Sequence, residues 1–278
     1  VRCFLVWTVG LAALASIGCA ERPRPTPPAE QRAVDERPTT SPNAEALVAV
    51  AAPPVVPVPA PEAKAEEACP DGMVLVDGHF CPEVEQRCRE YADPPGRYEH
   101  FRCLDYAPSV CKSKERKHLR YCIDRYEYTA PGETLPANHQ SWTDADRICT
   151  ELGKRVCLES EWVFACEGEE MRPYPYGFSR DPGACNADRK TILDEAGKLR
   201  DLRAPSGSYS GCVSPFGVAD LTGNLEEFVT IDRSRPARPA MKGAYWQPGR
   251  NHCRAAQTAH DRFYKGTETG FRCCADAK

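Results

Sequence analysis

The chain has 278 residues, a formal net charge of −4 and 41% hydrophobic content, which excludes a polybasic nucleic-acid binder and a long transmembrane bundle. Its sixteen cysteines are more telling. In a reducing cytosol so many thiols would need metal or invite oxidation, whereas in an oxidising compartment they read as a disulfide framework.

Behind Arg2, residues 3–17 (CFLVWTVGLAALASI) form an apolar run too short for a permanent membrane span and suited to the core of an export signal. The run ends in Ser16, Ile17, Gly18 and Cys19, which resembles a bacterial lipobox with Ser16 where that pattern prefers Leu. Residues 1–18 are therefore expected to be a lipoprotein signal peptide, with Cys19 as the lipidated anchor to a membrane. Residues 19–68 follow as a tether. Positions 21–68 hold 11 of the 26 prolines and no Cys, Gly or aromatic residue, a composition that buries no core and stays extended. Ala20 after the anchor favours the bacterial outer membrane, on its periplasmic or surface side, by the sorting rule of Gram-negative lipoproteins.

The folded part is expected over 69–278, long enough for one domain with a substantial core and carrying fourteen cysteines. Its first stretch, 69–122, is the Cys-rich segment. Cys69, Cys81, Cys88, Cys103, Cys111 and Cys122 allow 15 connectivities that sequence leaves open. No closely spaced CxxC pair there supports zinc. The basic run 112–120 has interleaved acid and reads as a solvated loop, with no nucleic-acid partner. Density in Gly, Pro, Asp and Asn predicts short strands and ordered loops. Two helices are legible. Over 141–153 the apolar residues Trp142, Ala145, Ile148, Cys149 and Leu152 share one face, with Ser141 or Thr143 as cap and Gly153 as left-handed stop. A second helix begins at Glu159, acidic in its first turn as the helix dipole favours, with Trp162, Ala165 and Cys166 on one side.

GMVLV at 72–76, CIDRYEY at 122–128, SW at 141–142, GKRVCLESEW at 153–162 and YPYG at 174–177 come in order along the chain. CN at 185–186, GVADLTGNLEEF at 217–228, KGAYW at 242–246 and GFRC at 270–273 complete the series. Together these motifs resemble the sulfatase-modifying-factor (formylglycine-generating) family. The resemblance implies an irregular, loop-rich α+β domain related to C-type lectins and stapled by disulfides, in agreement with the composition. It also implies the bridges Cys149–Cys273 and Cys166–Cys253. Cys157–Cys274 follows as an extra pair because each partner lies near one end of the first bridge, and Cys185–Cys212 would clip the loop before Gly217.

The family's oxidase chemistry uses two cysteines that bind copper(I), between elements matching Tyr245 and Ala255. Here Gln247 stands at the first of those positions, and the interval's one cysteine, Cys253, matches a structural family cysteine. Soft thiolate pairs select Cu(I), so copper is not expected and Cys253 is only a weak catalytic candidate. The resemblance further implies structural calcium, held by side chains of Asp220 and Glu227 and by carbonyls of Gly223 and Leu225, oxygen donors suited to a hard cation. The alternative is that Asn224 and Glu226 are turn and surface residues while Asp220 caps the turn. A second implied calcium set comprises Asn186, the Ala187 carbonyl and Asp194 or Asp201.

His252 and His260 lack partners at ligand spacing and are expected to be partly exposed loop residues. Tyr245 with Trp246, and Tyr174 with Tyr176, are either groove walls or core aromatics. Three functions remain open. A non-catalytic, membrane-tethered module binding a peptide, glycan or protein is preferred, because loss of the copper pair removes a mechanism and nothing installs another. The others are a formylglycine-generating oxidase, and a different redox or tautomerase activity of the kind the same domain serves in ergothioneine sulfoxide synthases and pyoverdine maturation.

Overall fold

The computed structural model describes residues 68–234 and 237–278; the expected signal peptide, Cys19 and the tether up to residue 67 lie outside the described residues. In chain order the elements are β1 (Met73–Phe80), β2 (Val84–Glu85), β3 (Cys88–Tyr91), β4 (Cys103–Tyr106), β5 (Val110–Cys111) and β6 (Lys117–Asp124). There follow α1 (Trp142–Glu151), β7 (Arg155–Val156), α2 (Glu159–Glu167), β8 (Glu226–Thr230), β9 (Pro239–Lys242), β10 (Ala256–Gln257), β11 (Thr269–Gly270) and β12 (Cys273–Asp276). One sheet runs β1-β6-β12-β7 and a second β10-β9-β8-β11, with β2-β5 and β3-β4 as two small ribbons. This is the irregular α+β, disulfide-stapled domain that the family resemblance implies, with the short strands that the composition predicts. Among the described residues no helix is long and apolar enough to cross a membrane.

α1 starts where the Ser141 hydroxyl accepts from the Asp144 N–H while the Asp144 carboxylate accepts from the Ser141 N–H, a reciprocal capping box. Its inward face buries Trp142, Ala145 and Cys149. Trp142 Nε1 also donates to Thr230 Oγ1 at 3.1 Å, fixing the helix on β8. At the other end Gly153, at φ +69°, takes the left-handed position that ends a helix. α2 differs from its expected one-sided burial. Every residue from Glu161 to Glu167 is buried, because the helix lies between the first sheet and the second. Its start is closed by Glu161, whose carboxylate accepts the Leu158 N–H and a bidentate pair from Arg155.

The basic run 112–120 corrects its loop assignment. From Lys117 onward it belongs to β6, paired antiparallel with β1 from Phe80↔Lys117 to Met73↔Asp124. Its polar residues Lys117, His118 and Arg120 line the solvent-facing part of that strand, and His118 meets Asp77 at 2.7 Å. Ala68, the first described residue, is buried, and its carbonyl accepts from Lys278 N.

Seven disulfides pair all fourteen cysteines of the described residues. Cys149–Cys273, Cys157–Cys274, Cys166–Cys253 and Cys185–Cys212 are the pairs anticipated above. Cys69–Cys122, Cys81–Cys111 and Cys88–Cys103 are the connectivity that sequence left open. Between α2 and β8 the chain relies on isolated bridges, such as Val213 with Ala219, and on Cys185–Cys212. Replacing Cys149 and Cys273 together by Ala reopens a closed segment of 124 residues. The double variant is expected to lose about 4–5 kcal/mol in the chain-entropy model, measured by denaturant unfolding without reductant.

Candidate functional site

The second sheet places β11 beside the start of β8, with Thr269 opposite Glu226, and β10 beside the end of β9, with Ala256 opposite Lys242. The connection from β9 to β10 therefore reverses the chain between two antiparallel neighbours. It turns at Gly243, where φ is +83° and a Cβ would lie 2.6 Å from the Leu221 carbonyl oxygen, so only glycine fits. Two consecutive residues anchor the far end. Cys253 is bonded to Cys166 of α2. Arg254 donates to both oxygens of buried Glu167 at 2.6 and 2.7 Å and to the carbonyls of Cys81 and Pro82.

Between this loop, the start of β8 and the loop joining β3 to β4 lies a cleft of about 280 Å³. Phe101, Tyr245 and Tyr264 supply aromatic walls, and Gln247 lies among the lining residues. His260, also in the lining, stacks flat on Tyr264 at 3.6 Å between centroids. Glu226 and Glu268 bring two carboxyl groups. Tyr264 Oη donates to Glu268 Oε1 at 2.6 Å. Burial, then the charge of Glu268, push the Glu226 carboxyl up to about 7, and no hydrogen bond or cation among the described residues offsets them. Arg250 lines the same cleft and lies over the Phe101 ring, 5.5 Å from its centroid.

Cys253, the weak catalytic candidate, has no thiol to offer, since it is fully buried in its bridge to Cys166. Gln247 sits in the cleft wall, and an amide is no substitute for a thiolate toward Cu(I). The residues present do not fit copper.

In the expected calcium set the two acidic side chains are engaged within the fold. Both Glu227 oxygens accept from Arg272, at 2.6 and 2.7 Å, and one accepts from Trp162 Nε1 at 2.7 Å. Asp220, at φ +57°, accepts the Gly207 N–H. Gly223 and Leu225 flank Asn224, whose Oδ1 accepts from Asn186 Nδ2 and the Ala204 N–H. In the second set the two acids are likewise engaged. Asp194 accepts from the Ala196 and Lys198 amides of its own turn, and Asp201 is spent on Arg203. Asn186, beside Ala187, has its amide on Asn224 and the Leu202 carbonyl. Calcium needs six to eight free oxygens, whereas these charged donors already hold internal hydrogens. Among the described residues no three His, Cys, Asp or Glu side chains gather as a metal-holding group.

Of the other residues singled out, Trp246 and Tyr174 are core and Tyr245 faces the cleft. Tyr176 is half-buried, stacked on Tyr174 at 5.4 Å. His252 is half-buried, but its Nδ1 is sealed without a partner, and burial, then the charges of Lys242, Arg250 and Arg180, pull its pKa down to about 4.

Residues 96–277 match the family described as "Sulfatase-modifying factor enzyme 1-like domain". The chain belongs to that family. This sulfatase-modifying-factor member is 30% identical over 162 residues to the inactive C-alpha-formylglycine-generating enzyme 2 of Mus musculus, covering 51% of the chain and 50% of the relative. To the formylglycine-generating enzyme of Mycobacterium tuberculosis it is 24% identical over 266 residues, covering 84% and 82%. The chain spans about half the length of the mouse relatives it matches. Among solved structures it is similar to CarF, with a TM-score of 0.52 and 14% identity over 75% of this chain and 99% of that one. That likeness concerns the fold.

Sequence reasoning missed Glu127, Phe101, Arg254 and Glu268. Glu127 lies inside the quoted CIDRYEY motif, but its role needs the fold. Its carboxyl accepts from Asn224 Nδ2 and Leu225 N, at 2.6 and 3.0 Å. Burial, then the charges of Glu227 and Asp220, push it well above the usual carboxylate range. With Glu227 held by Arg272 and Asp220 by the Gly207 N–H, adding calcium or chelating it is expected to leave the thermal midpoint of the folded chain unchanged. A calcium-dependent rise abolished by Asp220→Ala would restore the ion.

Proposed function

We propose that this sulfatase-modifying-factor member is a non-catalytic binding module whose cleft holds a ligand rather than turning one over. One observation carries the reading: the thiolate pair that copper(I) requires has no counterpart in the cleft, where Gln247 stands at one position and Cys253 is locked to Cys166. Similarity to a mouse relative whose name describes it as inactive is consistent with this. A cleft with a preorganised loop, aromatic walls and a few convergent polar groups is the common form of a small-ligand site.

The test combines a thiol count with copper and substrate. Alkylation of the unreduced, denatured domain is expected to label none of its fourteen cysteines, Cu(I) to bind no better than to a reduction-resistant control protein, and a cysteine-containing sulfatase peptide to stay unmodified. A labelled pair that binds Cu(I) tightly, or formylglycine in the peptide, overturns the proposal.

We further propose that the module works at a membrane, exported by residues 1–18 and held by a lipid on Cys19 through the Pro-rich stretch. The support is sequence pattern alone. In a bacterial host, Cys19→Ser is expected to release the protein from the membrane fraction and to lower its mass by the lipid; unchanged partitioning and mass sink the anchor.

A further inference from the structure

The cleft's walls also say which ligand chemistry they suit, an inference that rests on reading the cleft as a ligand site. Three features coincide there. The aromatic faces of Phe101, Tyr245 and Tyr264 carry the negative side of a ring quadrupole, which attracts cations. Glu226 and Glu268 add carboxyl groups, of which Glu268 has only the Tyr264 hydroxyl and Glu226 has no counter-charge among the described residues. The space of about 280 Å³ admits a small molecule or one side chain and no folded segment.

We propose that this cleft binds an organic ammonium group, a protonated amine on a short apolar stem, with the ammonium against Glu226 and the stem between Phe101, Tyr245 and Tyr264. An anion would face two carboxyl groups at close range. A neutral apolar molecule would remove water from Glu226 and leave its carboxylate unpaired, which is costly. A cation with a carbon stem satisfies the carboxylate and buries apolar area in one step. Arg250 is the like charge in the lining, and its place over Phe101 holds the guanidinium on the aromatic wall. Phe101 comes from the Cys-rich segment, in the loop that Cys88–Cys103 closes. That segment therefore builds part of the ligand site as well as stapling the fold.

The probe is 2-phenylethylammonium, compared with its uncharged analogue 2-phenylethanol, titrated by calorimetry into the folded chain at mildly alkaline pH. The ammonium is expected to bind at least about tenfold more tightly than the alcohol, a difference of roughly 1.4 kcal/mol, and to weaken with added salt. Glu226→Gln is expected to abolish that preference, Phe101→Ala to weaken both probes, and Arg250→Ala to strengthen the ammonium alone. Equal affinity for the two probes, no ammonium binding at millimolar concentration, or an unaltered preference in folded Glu226→Gln overturns the proposal. If Glu226→Gln does not fold, Glu268→Gln and the two-probe comparison on the unaltered chain decide. Formylglycine in the peptide assay would sink the non-catalytic reading and leave the ammonium result standing, whereas an inert chain that ignores the ammonium would do the reverse.

Discussion

The fully buried ion pair between Glu227 and Arg272 is the constraint around which the rest of the domain is arranged. Burial alone would disfavour the charged guanidinium; the charge and hydrogen bonds of Glu227 reverse that and hold the Arg272 pKa up. The remaining Arg272 hydrogens go to the carbonyls of Asp124, Arg125 and Ala219, and Trp162 Nε1 completes the carboxylate. One residue pair thus joins β8, α2, the end of β6 and the segment leading into β12. Removing one partner of such a pair strands a desolvated charge, typically at about 3–5 kcal/mol. The guanidinium is a covalently attached cation in an acidic region, facing the charges of Glu227, Glu127 and Asp220. Glu127 and Asp220 lie in the same region, and burial raises both above the ordinary carboxylate range.

The same pair aims the cleft. Along a strand successive side chains point to opposite faces, so fixing Glu227 inward fixes Glu226 outward, into the cleft wall. A one-residue slip of β8 would exchange them, burying Glu226 without a partner and exposing Glu227. The ladder with β9, Glu227↔Lys242 through Thr230↔Pro239, and the parallel contact of Thr269 with Glu226 hold the register. The unpaired cleft carboxyl is therefore a consequence of core packing one residue away.

Features encoded over short distances were legible in the sequence. The Ser141 cap, the Cys149 face of α1 and the Gly153 stop all lie within one turn of the residues that reveal them. The motif order carried the fold. β6 was hidden because its exposed half reads KHLR, a charged run whose strand character comes from β1 across the ladder. The three N-terminal bridges were degenerate because disulfide pairing is set by three-dimensional proximity, which spacing alone does not give. The pairing of Glu227 was hidden for a similar reason: its partner Arg272 lies 45 residues away, so the sequence showed an acid and not that it was already paired. Phe101 reaches the cleft across an even longer separation from Glu226, and nothing local marks it.

The loop from Tyr245 to Ala255 is where rigidity and redox chemistry compete for the same atoms. A copper(I) centre needs sulfur as free thiolate, whereas a disulfide uses that sulfur to fix the backbone. Here Cys253 serves the backbone, and Arg254 beside it adds two hydrogen bonds to Glu167 and two to the Cys-rich segment. α2 thus holds the loop through adjacent residues, one covalently and one by charge. A loop so fastened loses little further freedom when a ligand arrives, and this preorganisation raises affinity by lowering the entropic cost of binding. The fastening that denies the loop a reactive thiol is therefore the same fastening that suits it to hold a small ligand between Tyr245 and Phe101.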